Sequence, residues 1–170
     1  LKRVGDLLYV LGETHDELGA SEYAVSSGIQ GGEVPSVDVQ KNAAVYEALS
    51  SAIQRGLVAS ATSVGRGGLG VTLTKSAVAG KLGADVNLTK LPGSAKTPNQ
   101  VLFSESQGRI LVSVSRGSAE EFEKMTKDIP CTRIGEVVQG ASLSMTLPGA
   151  KVECSLTELT EAYRSFFKHW

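Results

Sequence analysis

Cysteine is nearly absent. Cys131 and Cys154 are the only two in 170 residues, with no CxxC and no histidine at ligand spacing. That excludes a zinc site and a disulfide framework, and it fits a reduced, cytoplasmic chain. Histidine is equally scarce, at His15 and the near-terminal His169. Neither a Ser-His-Asp nor a Cys-His arrangement can be assembled from them, so no catalytic residue is assigned. No apolar run approaches the ~18 residues of a spanning helix, and no signal peptide opens the chain. An excess of cationic charge is missing too: 17 Lys+Arg stand against 18 Asp+Glu, a net charge of -1, which argues against a nucleic-acid binder. Linkers and internal repeats are also lacking. At 41% hydrophobic and 21% charged residues, disorder is excluded.

Glycine is what the chain has in plenty, 19 of 170 residues, against a usual ~7%. Such a content points to tight turns or loops brought close to a ligand. Val4 to Leu11 reads as a strand ended by Gly12, and the polar stretch 13–23 follows it. Gly28, Gly31, Gly32 and Pro35 mark a loop. Asp38 is an N-cap, and Ala44, Val45, Ala48, Leu49, Ala52 and Ile53 recur at helical spacing until Gly56, which predicts a helix over 38–55. A strand is expected over 57–64, a helix over 69–79 ended by Gly80, and strands at 84–88 and 110–115. Ser118 with Glu121 reads as a capping box opening a helix to about Asp128. Strands near 131–138, 141–147 and 150–154 precede a last helix capped by Ser155 and Glu158, with Leu159, Tyr163, Phe166 and Phe167 as its apolar face. His169 and Trp170 read as a frayed terminus. The class is α/β (α+β), a mixed β-sheet flanked by helices.

Three segments carry candidate chemistry. Gly65-Arg66-Gly67-Gly68-Leu69-Gly70 matches GxGxxG between a predicted strand and helix. The acid expected ~20 residues on is missing, and so are repeated βαβ units, which disfavours a dinucleotide site. A plain tight turn and a phosphate or mononucleotide loop both stay open. Glu13, His15, Asp16, Glu17 and Glu22 form an acidic cluster, readable as a Mg²⁺ or proton-transfer set or as a solvated turn leading into a short helix. Phe103 to Arg109 is a polar bend whose Ser, Glu, Gln and Arg suit a hydroxylated, phosphorylated ligand, or equally cap an edge.

Taken together, these segments resemble one family. Gly12-Glu13-Thr14-His15-Asp16-Glu17-Leu18-Gly19-Ala20-Ser21-Glu22-Tyr23 resembles the G-E-T-x-D-E-L-G-x-S-E-Y signature of phosphoribosylformylglycinamidine synthase. Gly67-Gly68-Leu69, Ala77-Val78-Ala79-Gly80 and Leu82-Gly83-Ala84 are similar to its D-G-G-L…A-x-A-G…L-G-A block. Leu102-Phe103-Ser104-Glu105-Ser106-Gln107-Gly108-Arg109 resembles L-F-S-E-S-Q-x-R, and Ile134-Gly135-Glu136-Val137 resembles I-G-x-V.

The resemblance implies a fold of the aminoimidazole ribonucleotide synthetase superfamily. It further implies that residues 1–170 are a single domain at the C-terminal end of a longer synthetase. Leu1, standing where an initiator Met is expected, and a strand already under way agree with a piece of a longer chain. The implied activity of the whole enzyme is ATP- and Mg²⁺-dependent amination of formylglycinamide ribonucleotide, with ammonia from a glutaminase partner. The N-terminal domains of the same synthetase and a small accessory subunit are the other implied partners. The catalytic His and most nucleotide ligands belong to segments upstream.

By the same resemblance, Glu105, Ser106, Gln107 and Arg109 line a substrate-like cleft, and Gly65, Arg66, Gly67 and Gly68 are the phosphate or nucleotide turn. Where relatives carry H-D-x-S-D-G-G-L, this chain has Ser63 and Arg66 in place of the two acids. Neutral Ser and cationic Arg are poor Mg²⁺ ligands, and Arg66 favours a phosphate instead. No metal residue is assigned. A degenerate, non-catalytic copy is expected, inactive alone and able to self-associate as a homodimer. The alternatives are a non-enzymatic interaction module, or another member of the superfamily such as a selenophosphate synthetase or thiamine-phosphate kinase-like enzyme.

Overall fold

A computed structural model describes residues 1–165. Among them, seven strands form one sheet in the order β2-β4-β1-β5-β3-β6-β7. They are β1 (Leu7–Leu11), β2 (Val58–Ser63), β3 (Gly83–Asn87), β4 (Ile110–Val114), β5 (Cys131–Val138), β6 (Ser142–Leu147) and β7 (Ala150–Ser155). All neighbours are antiparallel except β3 and β6, which pair in parallel from Ala84↔Leu143 to Asn87↔Thr146. The sheet is therefore mixed, as the sequence implied.

β1 is an interior strand, third of seven in the sheet. Its Leu7 pairs with Val114 of β4 on one side and with Glu136 of β5 on the other. All five of its residues are buried, because helices cover both faces and alternate side chains go to opposite cores. Leu8 and Val10 pack with Leu69 and Leu73 of α3 (Gly68–Gly80) and with Val101 and Leu102 of α4 (Pro98–Phe103). Leu7, Tyr9 and Leu11 pack with Val45, Leu49 and Ala52 of α2 (Val39–Gln54) and with Phe122 of α5 (Ala119–Met125). Tyr9 meets Phe122 ring to ring at 5.0 Å, and its hydroxyl donates to Glu123 Oε1 at 2.7 Å, so the buried phenol finds its partner at the edge of the core.

Asp38 caps α2 by accepting from the Lys41 N–H, as expected. α1 (Glu22–Ser26) is the short helix after the polar stretch, capped by Ser21. α4 was not anticipated, although Thr97-Pro98-Asn99-Gln100 is a full capping box with Pro at its first turn. The expected Ser118–Glu121 box does not form. Ser118 ends a 3-10 turn (Arg116–Ser118) that Ser115 caps, and Glu121 pairs with Arg55 instead. The helix beyond it stops at Met125, short of Asp128. In the last helix, α6 (Leu156–Ser165), Ser155 and Glu158 exchange reciprocal cap bonds, and Leu159 packs on the core. The Phe166 and Phe167 part of its expected apolar face, and the His169–Trp170 end, lie outside the described residues. No helix among the described residues is long and apolar enough to cross a membrane.

Candidate functional site

Three segments far apart in sequence meet at one end of the sheet. β1 ends at Leu11 and feeds Gly12 and residues 13–21. β2 ends at Ser63 and feeds the glycine turn. The loop 104–109 sits between the two and enters β4. Arg109 holds that loop from beneath. Its side chain is 1% exposed and donates to the Ser106 carbonyl (3.1 Å), the Ser104 carbonyl and Thr14 Oγ1 (3.2 Å). Burial pulls the guanidinium down to about 10, with Glu17 and Glu105 acting the other way, so it stays charged at neutral pH. The sequence grouped Arg109 with the cleft-lining residues, whereas in the fold it braces the loop and joins it to the Gly12–Tyr23 segment. Gly108 completes the bend at φ +77°, where a side chain is strained and a Cβ would overlap Asn42 of α2.

Glu105 faces the glycine turn. Its Oε1 accepts the Gly67 N–H and the Glu22 N–H, each at 2.9 Å. One carboxylate oxygen therefore caps the starts of both α3 and α1, where unpaired backbone donors favour an anion. Arg66 is 85% exposed at its side chain and forms an ion pair with Glu22. Gly68 packs so closely on the chain before the loop that a Cβ would lie 2.5 Å from the Leu102 carbonyl. The predicted turn residues Gly65, Arg66, Gly67 and Gly68 and the predicted loop residue Glu105 thus come together. What they surround is the protein's own carboxylate.

Ser106 and Gln107 face the other way, into a cavity of about 220 Å³. Its walls bring in Glu13, His15 and Glu17 from the polar segment and Ser36, Asp38 and Lys41 from the start of α2. Glu13 Oε2 pairs with Lys41 Nζ at 2.8 Å and approaches His15 Nε2 at 3.3 Å. Chiefly through the Lys41 bond, its pKa is held below the ordinary carboxylate range. Ser106 Oγ accepts the His15 backbone N–H at 3.0 Å, and Gln107 Nε2 donates to the Glu105 carbonyl at 3.1 Å.

Glu17 is 6% exposed, and its Oε1 accepts from the Ser36 N–H (2.9 Å) and hydroxyl (3.2 Å). Burial alone would push its pKa up. Ser106, Ser36 and the nearby His15 more than offset this and leave it below the usual value, so the group is an anion at neutral pH. Sequence reasoning placed Glu17 in an acidic cluster but gave no sign that α2 would close over it, because Ser36, Asp38 and Lys41 carry no family signature. The described residues contain no group of three or more His, Cys, Asp or Glu able to hold a metal ion. Within the acidic cluster, Glu13 is paired with Lys41 and His15, Glu17 with Ser36, and Glu22 with Arg66.

Residues 3–148 match the family described as AIR synthase related protein, C-terminal domain. The phosphoribosylformylglycinamidine synthase subunit PurL of Moorella thermoacetica is 36% identical over 167 residues, covering 96% of this chain and 22% of the relative. The PurL of Thermotoga maritima complexed with FGAR superposes with a TM-score of 0.81 at 22% identity, over 93% of this chain and 28% of that one. The same T. maritima protein complexed with ATP gives 0.71 at 23% identity over 94% and 26%. These structural likenesses show the fold. The chain spans about a fifth of the length of the curated relatives it matches.

Proposed function

This chain belongs to the AIR synthase related protein C-terminal domain family, and from that premise we propose that it is the C-terminal domain of a phosphoribosylformylglycinamidine synthase. The complete enzyme would be an ATP-dependent C–N ligase of purine biosynthesis, converting formylglycinamide ribonucleotide and ammonia to the amidine. The observation that carries this reading is the convergence of three motifs on the 104–109 loop. Arg109 ties the G-E-T-x-D-E-L-G segment to S-E-S-Q, and Glu105 ties S-E-S-Q to the glycine turn. Ligated relatives of the same fold, with ATP or FGAR bound, support a nucleotide-using enzyme.

Within that enzyme the chain is a supporting domain. We assign the nucleophile, the general base and the Mg²⁺ ligands of the reaction to the other domains. The Gly65–Gly68 turn with Arg66 is its phosphate or nucleotide site, with one condition. A phosphate oxygen reaching the Gly67 N–H has to take the place of Glu105, and Arg66 has to turn from Glu22. Glu105, Ser106 and Gln107 form the wall equivalent to a substrate cleft. The partners are the N-terminal domains of the same polypeptide, a glutaminase and a small accessory subunit.

Exchanging the matching C-terminal segment of the M. thermoacetica relative for this chain tests the reading. The fusion is expected to aminate formylglycinamide ribonucleotide with ATP, Mg²⁺ and ammonia, while a deletion of the segment should not. A soluble fusion without turnover, or a deletion with full turnover, overturns it.

A further inference from the structure

The two edges of the sheet are built differently. β7 carries Lys151 and Glu153 along the strand, a guard against pairing with another chain. β2 (Val-Ala-Ser-Ala-Thr-Ser) carries neither charge nor proline, and among the described residues no strand pairs with it beyond β4. After an irregularity between Val58 and Ser60, its register on β4 is even, through Ser60↔Ser113 and Thr62↔Leu111. The Val64 N–H then donates to the Arg109 carbonyl at 2.9 Å. Bonded pairs alternate along an antiparallel ladder, so Ala61 and Ser63 turn their N–H and C=O groups outward.

α2 adds a second observation on the same border. It buries Val45, Leu49 and Ala52, yet Val39 (73% exposed), Tyr46 (50%) and Ile53 (50%) stand clear of the core. With Ala43 and Ser50, also exposed, they recur at alternating steps of four and three residues, the spacing of a seam that packs on another helix. The opposite flank of α2 is committed: Lys41 reaches Glu13 at the end of β1, and Arg55 reaches Glu121 of α5. β1 and β2 lie on opposite sides of β4. At ~100° per residue the seam therefore looks out over the β2 edge.

We infer that a second copy of this chain covers this border, with β2 pairing antiparallel to β2 through Ala61 and Ser63 and the α2 seam lying against its counterpart. A two-fold axis perpendicular to the sheet makes both contacts at once, because each surface is self-complementary. Neither surface carries a charge, so two identical copies meet without repulsion. α2 has 16 residues, ~24 Å of helix, and with the strand edge offers roughly 400–500 Å² per copy, below the ~1,200 Å² total of stable complexes. The dimer is thus weak and reversible. It is detected without ATP or ribonucleotide, so its absence leaves the synthetase assignment untouched.

Sedimentation velocity from about 10 µM to about 1 mM spans the range in which so small a contact forms and dissociates. The mass is expected to rise from monomer to dimer, with concentration-dependent ¹H–¹⁵N shifts at residues 39–53 and 58–63 and none along β7. Tyr46→Lys, at an exposed position, and Ala61→Pro, which removes an outward N–H and spares the bonds to β4, should each weaken association about tenfold or more. If Ala61→Pro does not fold, amide exchange on the unmodified chain takes its place: Ala61 and Ser63 should become protected as concentration rises. A chain that stays monomeric throughout, as when another part of a synthetase covers this border, overturns the proposal. So do association that either folded variant leaves unchanged, shifts centred on β7 or α6, and exchange at Ala61 and Ser63 that ignores concentration.

Discussion

The two sides of the 104–109 loop differ in how they handle an anion. On the glycine-turn side, Glu105 is met by two backbone N–H groups at helix starts, and the exposed Arg66 next to it is paired with Glu22. On the cavity side, Glu17 is buried yet keeps one oxygen unpaired. The first arrangement is closed by the chain itself, and a ligand has to compete for it. The second leaves one buried oxygen without a bond of ordinary geometry, with the Ser106 hydroxyl as the neighbour that helps to hold it charged. A glycine-rich turn is thus not by itself a vacant anion cradle, and an acidic cluster is not by itself a solvated surface. What settles each is which side chain the fold brings opposite.

Arg109 underlies both sides, so its loss should have the largest effect. Arg109→Met leaves three buried acceptors unmet and is expected to cost about 3–5 kcal/mol in urea unfolding. A cost below about 1 kcal/mol would break the claim that one side chain braces both halves. Next comes Gly108→Ala, which forces a strained φ and displaces Asn42. About 1–3 kcal/mol is expected, together with NMR shifts confined to the cavity side.

Glu105→Gln should cost little, because an acceptor oxygen remains, while removing the charge that opposes phosphate. Inorganic phosphate should then bind about tenfold more tightly by calorimetry, a gain of ~1.4 kcal/mol, and adding Arg66→Ala should abolish it. Equal phosphate binding with and without Glu105 would erase the contrast. The smallest effects concern titration. Glu13 and Glu17 have lowered pKa values in the fold, so their contribution is present above the ordinary carboxylate value of ~4.3 and is lost as pH falls through their folded values. Lys41→Met should let the Glu13 pKa climb back toward that value in a carboxyl ¹³C titration, while the glycine-turn side stays as it was.

Much of this architecture was legible in the sequence because local physics and tertiary packing agree. The helix expected at 38–55 is Val39–Gln54, and the three strands expected near 131–138, 141–147 and 150–154 are Cys131–Val138, Ser142–Leu147 and Ala150–Ser155. The failures have physical causes. Ser118 has the composition of a cap but ends a tight turn, since Ser115 three residues earlier captures its N–H. The two predicted site segments were visible as motifs. That Glu105 joins them, and that Arg109 turns inward, are long-range outcomes to which no local spacing points.

The place of β1 has a consequence in time. The strand leaves the ribosome among the first residues of this segment, yet its partners at 110–114 and 131–138 are made about a hundred residues later. At ~5–20 residues per second that interval is roughly 5–20 s. Throughout it, Leu-Leu-Tyr-Val-Leu is a short, uncharged, β-prone stretch with both edges unpaired, the type of segment that recruits chaperones or neighbouring nascent chains. Placing the first strand between β4 and β5 makes completion of the domain a late event in synthesis, and holding that strand soluble until they arrive becomes a task for the cell.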